Sequence, residues 1–197
     1  ALVNDTVGTL ATKSYADSSC DMGVILGTGT NACYPEKTGR LAKGGFPQPG
    51  KEMILNLEWG NFDKLDTNAC DQALDRITLN PGRQRMEKMV SGMYIGELVR
   101  LILLDMTDRG ILLDKKHRPV LAREHSVSSE QMSLSALGED FFAAIGIPDV
   151  SDRDRDAAAH VCRIVSRRSA RIAGAALAAV VTWMDAHLEK KHTIAID

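Results

Sequence analysis

Three short stretches of this sequence carry residue types that could do chemistry together. Asn4-Asp5-Thr6 follows the apolar Ala1-Leu2-Val3. Ligands of open α/β sheets sit outside the carboxyl ends of strands, so an aspartate directly after a strand is well placed for catalysis. As a base it would hold a hydroxyl in line and take its proton. Taken alone, however, Asn4 and Asp5 read better as a plain helix cap. Leu26-Gly27-Thr28-Gly29-Thr30-Asn31 is the second stretch. Its glycines would let backbone N–H groups approach a phosphate closely, and its threonines add donors. It matches neither the P-loop nor the dinucleotide pattern, and an ordinary tight hairpin uses the same residues. The third is a set of polar side chains beside apolar runs: Asn31, Glu58, Gln84 and Glu87. Carboxylates accept several hydrogen bonds and amides both give and take, which suits the hydroxyls of a neutral polyol. Gln84 and Glu87, three apart, would share one face of a first helical turn. Each singly reads just as well as the polar start of a helix.

Positioning these groups is the task of the elements around them. Residues 1–3 read as the end of a buried strand and 5–15 as a short helix capped by Asn4 or Asp5. Residues 22–26 form an apolar, β-rich run that Gly27–Thr30 breaks sharply, and 31–34 return as the second strand of a hairpin. The glycine- and proline-rich 37–50 reads as loop or irregular hairpin, 53–58 as a strand with Glu58 at its end, and 59–62 as a turn. Pro81-Gly82 opens one long helix, in which Val90, Tyr94, Leu98, Leu101 and Ile102 form an apolar stripe of period near 3.6. Gly92 and Gly96 give that helix a face for close backbone approach, and Gly110 caps its end. Residues 115–128 read as a polar connecting segment, 133–145 as a helix, and 151–189 as a second long helix. The acids at its start suit the positive end of the helix dipole. Its small-residue middle suits tight packing on a sheet, and 193–196 read as a strand. That order is α/β with a mixed sheet.

Composition narrows the partners. The chain has 197 residues, 44% hydrophobic and 25% charged, as in an ordinary soluble globular protein. Its 24 basic and 26 acidic side chains nearly balance, at a net charge of −2, so no nucleic-acid or anionic-membrane partner is expected. No apolar run is long enough for a membrane segment. The four cysteines have no metal-ligand or disulfide-scaffold spacing and read as reduced thiols in a cytoplasmic protein. The five histidines do not cluster with acids at zinc-ligand spacing, so no bound metal is expected.

In combination the motifs carry a resemblance. Ala1-Leu2-Val3-Asn4-Asp5-Thr6-Val7-Gly8-Thr9-Leu10 resembles the catalytic segment of the hexokinase family, and 23–34 its phosphate-loop hairpin. Leu57-Glu58-Trp59-Gly60-Asn61-Phe62 is similar to its sugar-binding segment. Asn80-Pro81-Gly82-Arg83-Gln84 and the residues after it resemble the start of its sugar-site helix. The resemblance covers most of the chain, is weakest over 115–159, and is nearest to plant or algal members.

It implies a ribonuclease H-like, actin-like ATPase fold. It also implies transfer of the γ-phosphoryl group of ATP, with Mg2+ held mainly through the nucleotide, to the 6-hydroxyl of glucose or a related hexose such as fructose or mannose. That is the first step of glycolysis. Carried over by motif, Asp5 is the catalytic base and Asn4, Asn31, Glu58, Gln84 and Glu87 line the hexose. Gly27, Thr28, Gly29 and Ser126 face the nucleotide. Met93 and Ala122 stand where some relatives carry a lysine and a threonine, which unsettles nucleotide contacts but not the sugar site. The chain reads as the larger part of the family's large domain, incomplete at both ends. The family's first phosphate segment and small-domain threonine-lysine pair would precede Ala1, and its adenosine segment would follow Asp197. A catalytically silent glucose sensor is the alternative. A non-sugar actin-like ATPase fits less well with Glu58, Gln84 and Glu87. The 197-residue chain by itself is therefore expected to show no turnover in a coupled ATP–glucose assay, and clear activity would refute that.

Overall fold

The computed structural model describes residues 3–41 and 50–197. Ala1 and Leu2 of the expected first strand, and most of the glycine- and proline-rich segment, lie outside the described residues. In chain order the elements are α1 (Asp5–Ala16), β1 (Cys20–Leu26), β2 (Thr30–Lys37), β3 (Glu52–Asn56), α2 (Ala69–Ile77) and α3 (Arg85–Val90). There follow α4 (Gly92–Asp108), α5 (Arg118–Ala122), α6 (Ser129–Ala136), α7 (Phe141–Ala144), α8 (Asp152–Met184) and β4 (Thr193–Ile196). They fall into two compact units, Ala1–Gly60 with Gly174–Asp197, and Asn61–Ala173. Helix α8 gives 152–173 to the second and 174–184 to the first.

The first unit is built on a mixed sheet in the order β3-β2-β1-β4. Strands β1, β2 and β3 pair antiparallel, whereas β4 joins β1 in parallel. Helix α1 starts where expected, because the Asn4 side chain accepts the Thr6 N–H at 3.0 Å. It lies directly on β1. A Cβ at Gly23 would stand 2.6 Å from the Thr6 carbonyl and 2.8 Å from the Leu10 Cβ, so only glycine admits the helix there. Leu10, Cys20, Cys33 and Ala195 are buried together, with Val7 packed on them.

Two polar clusters stitch the separate chain segments of this unit. Glu36, only 4% exposed, accepts from Trp183 Nε1 at 2.8 Å, Tyr34 Oη at 3.1 Å and the Lys37 N–H at 2.8 Å. Arg40 stacks over the Trp183 ring, 4.5 Å from its centroid, and pairs with Glu36. Burial pushes the Glu36 carboxyl up, but these donors outweigh it and hold it below the usual carboxylate range. The second cluster is His192, with Nδ1 at 2.7 Å from Asp21 and Nε2 at 3.3 Å from Asp185. The bond to Asp21 raises the imidazole above its ordinary value, burial opposes it, and Asp185 adds to the rise.

The second unit closes around Leu74, Leu98, Val99, Leu103, Leu121, Val127, Phe142 and Cys162, all buried. Burial raises the Cys162 thiol to about 11. Helix α4 is its axis. A Cβ at Gly96 would come within 2.6 Å of the backbone of Ser128 and Ser129, as its close-approach face requires. Glu97 and Arg100 form a buried pair at 2.5 Å. Arg100 also donates to the Leu121 carbonyl, and Glu97 accepts the His125 N–H.

Several boundaries differ from expectation. The single long helix is two, α3 and α4, divided at Ser91, whose ψ of 153° is extended. The Ser169 hydroxyl donates to the Val90 carbonyl that the break releases, at 2.9 Å. Residues 115–128 are not a mere connector but contain α5, tied down by Leu121. The expected helix over 133–145 is α6 and α7, separated at Gly138, whose φ is +108°. Helix α8 ends at Met184 rather than near 189. Gly174 in its small-residue middle has nothing within 4 Å of a Cβ position, so no close packing explains it. Helix α2 was not anticipated, although Asn68 and Asp71 form a capping box at its start.

Opposite titrations bound the first unit's stability. The Glu36 carboxyl is held low in the folded state, so its contribution is present above the ordinary carboxylate range and lost as pH falls through its folded value. His192 is held high, so its contribution is complete below the ordinary imidazole value and lost as pH rises through its folded value. Glu36→Gln should flatten the acid limb and His192→Gln the limb above neutrality. Urea denaturation at about pH 4, 6 and 8 checks this, and limbs unchanged from wild type would refute it.

Candidate active site

The hairpin between β1 and β2 closes at the pair Leu26 and Thr30, leaving Gly27-Thr28-Gly29 as its turn. The Gly27 N–H donates to the Gly29 carbonyl at 3.0 Å. Nothing in the fold demands a glycine at 27. Its φ lies outside the left-handed region, and the nearest atom to a Cβ there is Ile25 Cγ2 at 4.0 Å. What the missing side chain leaves uncovered is backbone, which is what close approach of a phosphate needs.

Strand β3 pairs β2 with Cys33 opposite Asn56 and Tyr34 opposite Leu55. The Leu57 N–H carries the ladder one step further, to the Ala32 carbonyl at 2.9 Å. Glu58 then leaves the sheet two residues beyond β3, in the left-handed region at φ +52°. Trp59–Asn61 form a single turn of 3-10 helix, and the buried Trp59 indole donates to Thr30 Oγ1 at 2.9 Å. This brings together side chains far apart in sequence. Asn31 Nδ2 donates to Glu58 Oε1 at 3.1 Å and to Asn56 Oδ1 at 2.7 Å. Asn56 Nδ2 in turn donates to Glu58 Oε1 at 2.5 Å. Asn56 was not singled out from the sequence. Its signal was the strand period of two, which sets 56 and 58 on one face.

The same period relates this cluster to α1. Asn31 and Cys33 share a face of β2, and Cys33 Sγ donates to the Thr6 carbonyl at 3.3 Å. The face that carries Asn31 is thus the one on which α1 begins. Asn4 and Asp5 are both exposed there. Asp5 Oδ1 accepts from the Thr6 N–H at 2.7 Å and from Thr6 Oγ1 at 3.3 Å. The cap reading and the catalytic reading are therefore compatible, since the cap bonds engage one carboxylate oxygen.

Gln84, Glu87 and Ser126 belong to the second unit. Gln84 does not sit in a first helical turn. It precedes α3 in the left-handed region, at φ +53°, with its N–H on Asn61 Oδ1 at 3.2 Å. The loop before it is clamped from below. Asp75 accepts the Gly82 N–H at 2.8 Å and Lys88 Nζ at 2.6 Å, and Lys88 also donates to the Asn80 carbonyl. Glu87 is half-buried in α3. Burial raises the Tyr94 phenol above its usual value, and the charge of Glu87 adds to this. Gln84 Oε1 and Ser126 Oγ are buried with no hydrogen-bond partner among the described residues. Both therefore keep capacity for a ligand. Among the described residues no three His, Cys, Asp or Glu side chains group closely enough to hold a metal ion.

Compared with known proteins, residues 21–197 match the family model described as hexokinase. Over 194 residues the chain is 42% identical to hexokinase-5 of Oryza sativa subsp. japonica, covering 92% of this chain and 38% of that protein. It is 41% identical over 197 residues to hexokinase-3 of Homo sapiens, covering 92% of this chain and 21% of that one. The chain thus spans well under half the length of these relatives. A solved hexokinase from Schistosoma mansoni, in complex with glucose, superposes with a TM-score of 0.88 at 32% identity, over all of this chain and 47% of that one. The mixed sheet and this likeness bear out the α/β, actin-like fold.

Replacing Thr30 by Val keeps its shape but leaves the buried Trp59 N–H without its acceptor. Thr30→Val should cost about 1–3 kcal/mol in denaturant unfolding and shift the Trp59 emission. An unchanged midpoint would show that this bond does not anchor the segment.

Proposed function

This chain belongs to the hexokinase family, and from that premise we propose that the protein phosphorylates a hexose at its 6-hydroxyl, with Asp5 as the base. The observation that carries this reading is the junction of Asn31 and Glu58. They are 27 residues apart, yet bonded at 3.1 Å on the sheet face on which α1 begins. ATP with Mg2+, when bound, supplies the phosphoryl group and neutralises its charge.

Each remaining role falls to a group already described. Carried over by motif, Asn4, Asn31, Glu58, Gln84 and Glu87 orient glucose, or a related hexose such as fructose or mannose, through its hydroxyls. Asp5 keeps Oδ1 on the Thr6 amide and turns Oδ2 to the 6-hydroxyl. As the hydroxyl oxygen bonds to the γ-phosphorus and the bond to the departing ADP breaks, the hydroxyl proton passes to Asp5 Oδ2. With the Gly27 N–H on the Gly29 carbonyl, the Thr28 and Gly29 amides donate to the nucleotide phosphates, and Ser126 is carried over by motif as a nucleotide contact. The uncrowded Cβ position at Gly27 fits such a ligand. The product would be the hexose 6-phosphate that opens glycolysis, made in the cytoplasm.

Asp5→Ala in the full-length protein should lower kcat by roughly 100-fold to 10,000-fold. Asp5→Asn, which retains an acceptor for the Thr6 amide, should fall as far. Hexose affinity, read by calorimetry, should change by no more than a few-fold. Substantial residual turnover in both variants would remove Asp5 as the base. Wild-type protein that binds glucose without any turnover would instead be a sensor.

A further inference from the structure

Asn56 stands between two side chains assigned to the hexose. Its Nδ2 donates to Glu58 Oε1 at 2.5 Å, while its Oδ1 accepts from Asn31 Nδ2 at 2.7 Å. Asn31 Nδ2 reaches the same Glu58 oxygen at 3.1 Å, and Asn31 Oδ1 accepts the Ala32 N–H at 2.8 Å. A side-chain amide is suited to this place because it can give to a carboxylate and take from a second amide at once. A carboxylate in its place could only accept, and an ammonium could only donate.

The arrangement determines the pose of both neighbours. Asn31 has its oxygen on the backbone and its amino group turned to Asn56 and Glu58, so its amide cannot flip without losing three bonds. Glu58 Oε1 receives two donors, and among the described residues Oε2 receives none. The Glu58 backbone is anchored by the buried Trp59 next to it, at a φ of +52°. Among the described residues, only the two amides hold its carboxylate.

We propose that Asn56 is a positioning residue for hexose phosphorylation, locking the Glu58 carboxylate and the Asn31 amide in the pose in which both meet the sugar. This rests on the reading of Asn31 and Glu58 as hexose ligands. The residue acts through them, so its loss weakens hexose recognition and leaves nucleotide recognition intact. An aspartate at 56 would set a second carboxylate against Glu58, and two carboxylates that close must share a proton. The glucose KM defect of Asn56→Asp is therefore relieved by acid, whereas a merely structural asparagine would show its loss in the melting temperature and in the glucose and ATP KM alike.

The test uses the full-length protein as wild type, Asn56→Ala, Asn56→Asp and Glu58→Ala, with glucose and ATP KM, kcat and melting temperature measured from about pH 6 to 8.5. Asn56→Ala should raise the glucose KM roughly ten-fold or more and leave the ATP KM within about two-fold. Asn56→Asp should be worse than Asn56→Ala at the alkaline end and recover toward it at the acid end. If Asn56→Ala does not fold, the isosteric Asn56→Asp carries the test through its pH profile. A normal glucose KM in both Asn56 variants alongside an impaired Glu58→Ala would overturn the role of Asn56. So would equal losses for glucose and ATP with a lowered melting temperature and no pH recovery. A normal glucose KM in Glu58→Ala would instead overturn the sugar-site reading beneath it.

Discussion

The pairing register of β2 and β3, with Cys33 opposite Asn56, is the constraint on which the first unit's chemistry rests. Side chains on a strand alternate with period two, so a slip of one residue would turn every one of them to the other face. In the observed register, Asn31, Asn56 and Glu58 meet on one side of the sheet. The buried bond from Trp59 to Thr30 pins that register where the ladder ends. It also ties the segment after β3 to the start of β2, directly behind the glycine turn. One indole therefore holds the proposed sugar-facing and phosphate-facing stretches in a fixed relation.

Helix α1 answers to the same sheet. Gly23 lets its backbone rest on β1, and Cys33 takes hold of the Thr6 carbonyl. The position of Asp5 is thus set by contacts one residue away, in a part of the sheet whose register is already determined. The unit is closed by chain that arrives 147 residues later, where Trp183 meets Glu36, and by β4 in parallel beside β1. Placing Asp5 on rigid elements rather than a loop suits the role of base proposed for it, which needs a hydroxyl met within a fraction of an ångström.

Left-handed backbone recurs at the assigned sugar residues. Glu58 and Gln84 both have φ near +50°, a conformation that costs a non-glycine residue about 1–2 kcal/mol. Such conformations persist only where surrounding structure over-determines them. At Glu58 that structure is the Trp59 anchor. At Gln84 it is the Asn61 side chain, together with Asp75 and Lys88 clamping the loop before it. Glu58 and Gln84 are thus each held in left-handed backbone by contacts of their own unit.

Local patterns were legible in the residues themselves. The capped helix after Asn4, the hairpin around Gly27-Thr28-Gly29 and the final strand follow from caps, turn residues and alternation, which act over a few positions. The motifs Asn4-Asp5, Glu58-Trp59-Gly60 and Asn80-Pro81-Gly82 were enough to indicate the family. The break at Ser91 was not legible, because the carbonyl it frees is taken up by Ser169, 79 residues away. The left-handed turn of Gln84 depends likewise on Asn61, and the importance of Asn56 on a register formed with β2. The capping box of Asn68 and Asp71 that starts α2 is a local pattern, set by residues three apart. By itself the sequence determined which groups are available for chemistry and where helices and strands begin. Only the tertiary structure decided which of those groups touch, because register and close approach are set by partners distant along the chain.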